Sequence, residues 1–496
     1  MKNSKPLASF LLLGGLIALC GSTQGAEFRA GAAVVDVTPR SLPAICNGGF
    51  TERVFDKVLN PLNARAIVVG DGRDRIALVV VDNCMIPREV CDRAKALAQR
   101  ATGIAVDRML ISATHAHSAP SVMDYCLGTR ADPAYTDFLP GKIAEAIEQA
   151  DAQLQPAEIG IATIDAPNHT HCRRWIVAPG KIQLDPFGEP TVRAMMHPGY
   201  QNPAYAGPSA PVDSQLSIVS IRSLDGQPLA LLANYSMHYF GVPGAFSSDY
   251  FGLFCNELEQ RLAALAESPD RTRPVAIMSQ GTSGDLHWMD YSQPKRGITM
   301  DDYAHQLAEI AWTAYGKVSY RRDPSIAMAQ TVLTLGRRLP SPERLAWARK
   351  VNEERGDRRP KTRPEVYAEQ AVYLHEHPTE VVVLQALRIG DFAIAAIPNE
   401  VFSITGLKIK AQSPLVPTFT IELANGAAGY IPPPEQHALG GYTTWPSRTA
   451  GLEVQAEPKI LDAVLGLLEK VCGQARRPLT VDLYGPEIRA RMKAVE

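Results

Sequence analysis

None of the chain's eight cysteines falls in a Cys-x-x-Cys pair, which argues against a thiolate zinc site. An excess of one charge is lacking as well. Fifty Lys and Arg against 52 Asp and Glu leave a formal net charge of −2, without the basic stripe of a nucleic-acid binder. The apolar run from Leu7 to Leu19 is too short for a membrane span, which needs roughly 20 residues. No internal repeat, low-complexity block or linker between two cores is visible. What remains is a chain of 496 residues, 46% hydrophobic, enough for one large core or two ordinary domains. Its function has to be read from local constellations.

The N-terminal stretch "MKNSKPLASFLLLGGLIALCGSTQGAEF" sets two lysines before the apolar run and small residues after it. That is the order of a secretory signal, here residues 1–26, with cleavage after Gly25 or Ala26. Cys20 raises lipid anchoring, but Leu19 stands where a lipobox needs a small residue. The mature chain is expected to be exported, either secreted or periplasmic. Seven cysteines remain in it: Cys46, Cys84, Cys91, Cys126, Cys172, Cys255 and Cys472. An oxidising compartment permits disulfides, yet an odd number leaves at least one thiol free. Contexts such as "LVVVDNCM" suit small buried residues better than reactive ones.

Short apolar, β-branched runs lie at Arg65–Val69, Ile76–Val81, Met109–Ser112, Ile159–Ile164 and Leu216–Ile221. Others follow at Leu229–Asn234, Val275–Ser279, Glu380–Leu387, Phe392–Ile397 and Thr418–Leu423. Helical patterns cover Val90–Ala101, Pro133–Ala152, Tyr250–Ala266, Asp301–Tyr315 and Ala456–Val471. The alternation predicts an α/β fold, and strands adjacent without a helix make its sheet mixed rather than purely parallel. One large catalytic domain is expected over 27–475, with a C-terminal tail over 476–496. Met196–Ser214, rich in Pro, Gly and aromatics, reads as a long ordered loop. Ser341–Pro378 reads as two charged helices around a basic turn, a solvated face more readily than a lid.

Imidazole is the commonest protein metal ligand. In "MLISATHAHSAP", His115 and His117 stand two apart at a strand's end, where extended backbone points both to one side. Alone, a pattern so short arises readily by chance. His238, in "LLANYSMHYFGVPG", also follows an apolar strand, and ligands in α/β sheets gather beyond the strands' carboxyl ends. That rule favours these three over His169, His171, His197, His305, His375, His377 and His437. Glu400, in "FAIAAIPNEVFSITG", again follows a strand. In a helix's first turn it is an ordinary dipole partner; at the same edge as the histidines it completes a three-ligand hydrolytic zinc site. "ELANGAAGYIPPPEQHALGGYTTW" is another strand exit crowded with Gly, Pro and Tyr.

"AGAAVVDVTP", "SATHAHSAP", "MHYFGVPGAFSSDYFG", "SQGTSGDLHW", "IPNEVFSITG" and "NGAAGY" resemble, in that order, segments of the neutral, non-lysosomal ceramidase family. With its flanks the resemblance runs from about Arg29 to Pro458. It implies a zinc-dependent amidase that hydrolyses the N-acyl bond of ceramide. By motif match the metal ligands fall on His115, His238, Glu400 and Tyr430, and His117 falls on the histidine that contacts the reacting amide. Arg173, in "HCRRW", matches a substrate-contacting arginine. Tyr430 is an unusual ligand, since a free phenol titrates near pH 10; as a neutral phenol it would bind the oxyanion instead. The implied cofactor is Zn2+. A small-molecule or lipid substrate is expected, with transient contact at a membrane surface and neither nucleic acid nor an obligate protein partner.

Two departures bear on the substrate. Where the family has a catalytic serine in "G-D-V-S-P-N", this chain reads Gly284, Asp285, Leu286 and His287, and His287 becomes a candidate substrate contact. Only 66 residues follow Tyr430, too few for the family's C-terminal immunoglobulin-like sandwich of about 100 residues. Two alternatives stay open. One is a metal-dependent hydrolase of another amide or ester, such as a peptide or a glycan N-acyl group. The other is a secreted binding protein that keeps the fold without the chemistry. "HAHSAP" lacks the downstream Asp-His of metallo-β-lactamases, and the late Glu400 and Tyr430 do not suit an amidohydrolase.

Overall fold

In the strand Arg75–Val81, successive side chains part company. Ala77, Val79 and Val81 join one apolar cluster, whereas Ile76, Leu78 and Val80 join another. The strand Pro228–Tyr235 divides the same way, Leu231 and Ala233 on one face, Ala230 and Leu232 on the other. With a period of two, a strand apolar at every position must be covered on both faces. The computed structural model shows what covers it. It describes residues 27–124, 126–242, 244–265 and 273–495, so the signal peptide expected over 1–26 lies outside the described residues.

The first sheet runs in the order Val275–Gln280, Pro228–Tyr235, Gln215–Ser223, Gln155–Asp165, Arg29–Asp36, Asn63–Gly70, Arg75–Val81 and Met109–Ala113. A short ninth strand, Ser319–Arg321, pairs with Gln155–Asp165. Its two outermost pairs are parallel and the pairs between them antiparallel, the mixed sheet that the sequence predicts. Helices Arg88–Thr102 and Pro133–Ala152 cover one half of its outer face, and Asp249–Ala263 and Met300–Tyr315 the other.

The opposite face packs on a second sheet of Ile326–Gly336, Thr379–Ile389, Phe392–Ala396 and Thr418–Ile421. Leu387, Ile389, Phe392 and Ile394 meet Ile67, Val69, Ile76 and Leu78 there, each buried side chain contributing about 1.5–3 kcal/mol. Helix Ala456–Cys472 closes the far side, giving layers in the order α, β, β, α. The sheets are also joined at one edge. Asn425 N donates to Ile111 O at 2.7 Å, its Oδ1 accepts from Ile111 N at 3.2 Å, and Glu422 N donates to Gln280 O at 3.1 Å. This seam brings strand exits of both sheets to one place.

The stretch Met196–Ser214 is more regular than a loop. Tyr205–Pro208 and Ala194–Met196 flank Arg174–Val177 in a three-stranded sheet. Ser341–Pro378 does form two helices, Pro342–Arg355 and Arg363–Glu376, capped by Ser341 and Thr362 and packed through Ala348, Ala368 and Ala371. The seven described cysteines are all buried free thiols.

Candidate metal centre

Beyond the strand Met109–Ala113 the chain turns sharply. Thr114 N donates to Val81 O at 2.9 Å, and His115 N and Ala116 N both donate to Asn83 O, at 2.9 and 3.1 Å. The turn sets His115 at φ 73°, a left-handed conformation that costs a side-chain-bearing residue about 1–3 kcal/mol and clusters at functional sites. Its Nδ1 lies 2.7 Å from Cys84 O. A carbonyl only accepts, so Nδ1 carries the proton and Nε2 presents a lone pair.

His238 is placed by the same logic at the other parallel edge. Its loop is pinned by Asp249, whose carboxylate accepts from Phe240 N at 2.8 Å and Gly241 N at 2.9 Å. Its Nδ1 lies 3.2 Å from Ser283 O, so Nε2 again faces inward. Glu400 follows Phe392–Ala396 of the second sheet, on a short strand that pairs in parallel with Tyr430–Ile431 in a separate two-stranded sheet. Two of the sequence motifs lock together here. Gly284 N donates to Val401 O at 2.8 Å, and Asp285 accepts from Ser403 N at 2.7 Å. Gly284 has to be glycine, since a Cβ would sit 2.9 Å from Glu400 O.

Three donors therefore converge, all fully buried. His115 Nε2 is 2.9 Å from His238 Nε2 and 3.2 Å from Glu400 Oε1, and His238 Nε2 is 3.8 Å from the same oxygen. His117 Nε2 approaches His115 Nε2 to 3.2 Å, its own Nδ1 held by Gly48 O at 3.1 Å. Burial first, with His115 adding to it, pushes the His117 imidazole well below its usual range; burial and then Arg173 do the same for His238. Ring nitrogens aiming lone pairs at one another repel unless a cation lies among them. Glu400 Oε2 is moreover buried without a hydrogen-bond partner, which is costly for a carboxylate. Two imidazole nitrogens and a carboxylate are a donor set that suits zinc.

The remaining candidate residues surround this trio. Arg173, 3% exposed, directs Nη2 to His238 Nε2 at 3.0 Å, Tyr430 Oη at 3.1 Å and Gly284 O at 3.0 Å. Burial and then Glu400 push the Tyr430 phenol well up, with Arg173 opposing them. His287 stands one ring further out. Tyr239 stacks on His117 at 3.8 Å, and the His287 ring lies 5.2 Å beyond Tyr239, edge to face. The structure thus brings His115, His117, His238, Glu400, Tyr430 and Arg173 together and leaves His287 bordering them, its Nδ1 without a partner. His169 lies elsewhere, against Tyr303.

Several contributors carry no signature in the sequence. Cys84, Ser283 and Gly48 act through backbone carbonyls, which every residue has. Tyr239 was within reach, as the aromatic directly after His238. So was Glu422, the carboxylate at the end of strand Thr418–Ile421, which accepts from Ser283 Oγ and from Val401 N, each at 2.6 Å.

No family model and no curated protein matches the chain. Solved structures do. Two of them superpose on nearly the whole chain, and both are ceramidases. The neutral ceramidase from Pseudomonas aeruginosa matches with a TM-score of 0.67 at 16% identity, over 92% of this chain and 77% of that one. A ceramidase complexed with C2 gives 0.66 at 15%, over 92% and 78%. The chain has the neutral ceramidase fold, as the resemblance of its six motifs implies.

Proposed function

We propose that this chain is an exported zinc-dependent amide hydrolase that cleaves the N-acyl bond of ceramide or a related N-acylated compound. The observation that carries this reading is the convergence of His115 Nε2, His238 Nε2 and Glu400 Oε1 in a buried cluster, with both imidazoles oriented by backbone carbonyls. The ceramidase fold of the chain supports the substrate class. His115, His238 and Glu400 hold the metal. Zinc bound there supplies Lewis-acid polarisation of the amide carbonyl and lowers the pKa of an attacking water towards about 7.

The chain's other residues provide the rest. His117, partly exposed and neutral, takes a proton at Nε2 and passes it to the departing amine, while Gly48 O keeps the ring in the required tautomer. Arg173 and Tyr430 donate to the oxygen that gains charge as the carbonyl is attacked. In this reading Tyr430 keeps its proton and stands beside the metal as an oxyanion donor. His287, at the place of the family's serine, borders the substrate through Tyr239. Such a site needs no serine nucleophile, because the attacking oxygen is water's.

No helix among the described residues is long and apolar enough to cross a membrane. The export assignment rests on the N-terminal sequence. The test is metal analysis of the purified chain together with release of fatty acid from ceramide, N-acyl amino acids and N-acyl sugars. About one zinc per chain is expected, with turnover that falls to background in His115→Ala and in chelated protein. Absence of turnover on every N-acyl substrate by zinc-loaded protein would overturn the assignment.

A further inference from the structure

Beside the metal centre, and touching none of its donors, lies a cavity of about 720 Å³. That is the size of a small-molecule site. Phe187, Tyr367, Leu374 and Trp445 form apolar wall, and the helix Arg363–Glu376 supplies two of the four. Tyr367 makes edge contact with the other two aromatics, its ring 5.5 Å from Phe187 and 6.0 Å from Trp445. Tyr442 then links Trp445 to Tyr430, by ring distances of 6.1 and 5.9 Å. The cavity is therefore a near neighbour of the proposed reaction centre.

Its charge is one-sided. Arg193, Arg338 and Arg344 line it against one carboxylate, Asp185. Asp185 is already satisfied by its own loop, accepting from Phe187 N at 2.8 Å, Glu189 N at 3.0 Å and Thr191 Oγ1 at 3.0 Å. Arg193 and Arg338 rest on backbone carbonyls, those of Val495 and Leu452, each at 3.0 Å. Arg344 lies over Phe187, its guanidinium carbon 3.4 Å from the ring centre, and its Nη1 is buried with no hydrogen-bond partner. None of the three forms an ion pair among the described residues. Guanidinium groups left unpaired beside an aromatic-walled cavity leave donors waiting for an acceptor.

We propose that this cavity binds an anionic amphiphile, with the apolar chain against Phe187, Tyr367 and Trp445 and the anionic head on Arg344. A neutral lipid would leave these charges unmet. Two sources share the chemistry: a free fatty acid, or a compound that joins an acyl chain to an amino-acid carboxylate. The binding does not rest on the hydrolase reading, because no metal-centre residue touches the cavity.

The test follows tryptophan fluorescence, to which Trp445 and Trp347 contribute, and calorimetry as laurate, N-lauroylglycine and neutral dodecanol are titrated into the full chain. Saturable binding of at least one anion, about tenfold or more tighter than dodecanol, is expected. Tighter binding of N-lauroylglycine identifies the amino-acid conjugate; equal or tighter binding of laurate identifies the fatty acid. Arg344→Gln should erase the preference for the anions while leaving dodecanol binding unchanged. Ala438→Trp, a substitution at an exposed position on the cavity wall, should block all three ligands in a chain that circular dichroism shows to be folded. His115→Ala should bind like wild type, which separates this site from the reaction centre. Failure of both anions to bind folded wild type, dodecanol binding as tightly as they do, or unchanged anion preference in Arg344→Gln would overturn the proposal.

Discussion

Around His117 a single missing carbon has consequences. Gly48 adopts φ 79° and its carbonyl fixes the His117 ring, while a Cβ at Gly48 would lie 2.5 Å from ring atoms Cγ and Nδ1. Both the backbone conformation and the space therefore require glycine. Gly48→Ala must push His117 off its position against Tyr239, without touching His115, His238 or Glu400. Turnover on the best N-acyl substrate should fall about a hundredfold, as for other residues that orient a reacting group. Zinc content should stay near wild type. Loss of zinc together with turnover would show that the turn supports the metal donors rather than His117. His115 has its own orienting carbonyl, Cys84 O, and its strained φ is held by three backbone hydrogen bonds of the turn.

Among the elements, the parallel strands at the sheet's edges deliver the donors, and a buried ion pair anchors one of those edges. Arg65, on strand Asn63–Gly70, meets Asp82 at 2.8 Å, with side chains 4% and 1% exposed. Asp82 also accepts from Asn63 N at 2.9 Å and directly precedes Asn83, whose carbonyl shapes the His115 turn. Asp82→Ala leaves a buried guanidinium with only a distant carboxylate, Glu259 at 3.8 Å. It should cost about 3–5 kcal/mol in urea unfolding, whereas the apolar pair Arg65→Met with Asp82→Leu should cost clearly less. Equal losses would mean that geometry around Asn63, not charge, is what matters. The strands themselves are legible in the sequence, because short β-branched runs with both faces apolar have few alternatives. His115, His238 and Glu400 are legible for a related reason, each standing just past such a run. The strand Ile326–Gly336 escapes notice because Gln330, Thr331 and Thr334 interrupt its apolar pattern. The orienting carbonyls of Cys84, Ser283 and Gly48 escape because a backbone oxygen has no residue code. The arginine-lined cavity escapes too: its walls come from segments near positions 190, 340, 370 and 440, which only the fold brings together.

At the scale of the whole molecule, the two largest sheets share one buried layer, and the candidate metal donors sit astride their seam. His115 and His238 extend from the two parallel edges of the first sheet, and Glu400 extends from the second. A cation bound to all three is thus a cross-link between layers as well as a reagent. Without it, two imidazole Nε2 atoms face each other at 2.9 Å and Glu400 Oε2 stays buried and unsatisfied, so the metal-free fold carries the cost. Ligands that bind only the native state stabilise it by mass action, about 2.7 kcal/mol at a hundredfold excess over Kd. Chelated protein should therefore unfold at a temperature several degrees lower than zinc-loaded protein, and added zinc should restore the midpoint. In Glu400→Gln the carboxylate charge is gone but the shape is kept. Its metal-free midpoint should match or exceed that of metal-free wild type, since the unpartnered buried Oε2 of a carboxylate is gone, and zinc should raise it far less. Thermal scans of the two proteins with and without zinc decide the matter. An equal zinc-induced rise in both would remove Glu400 from the donor set and detach the second sheet from the metal.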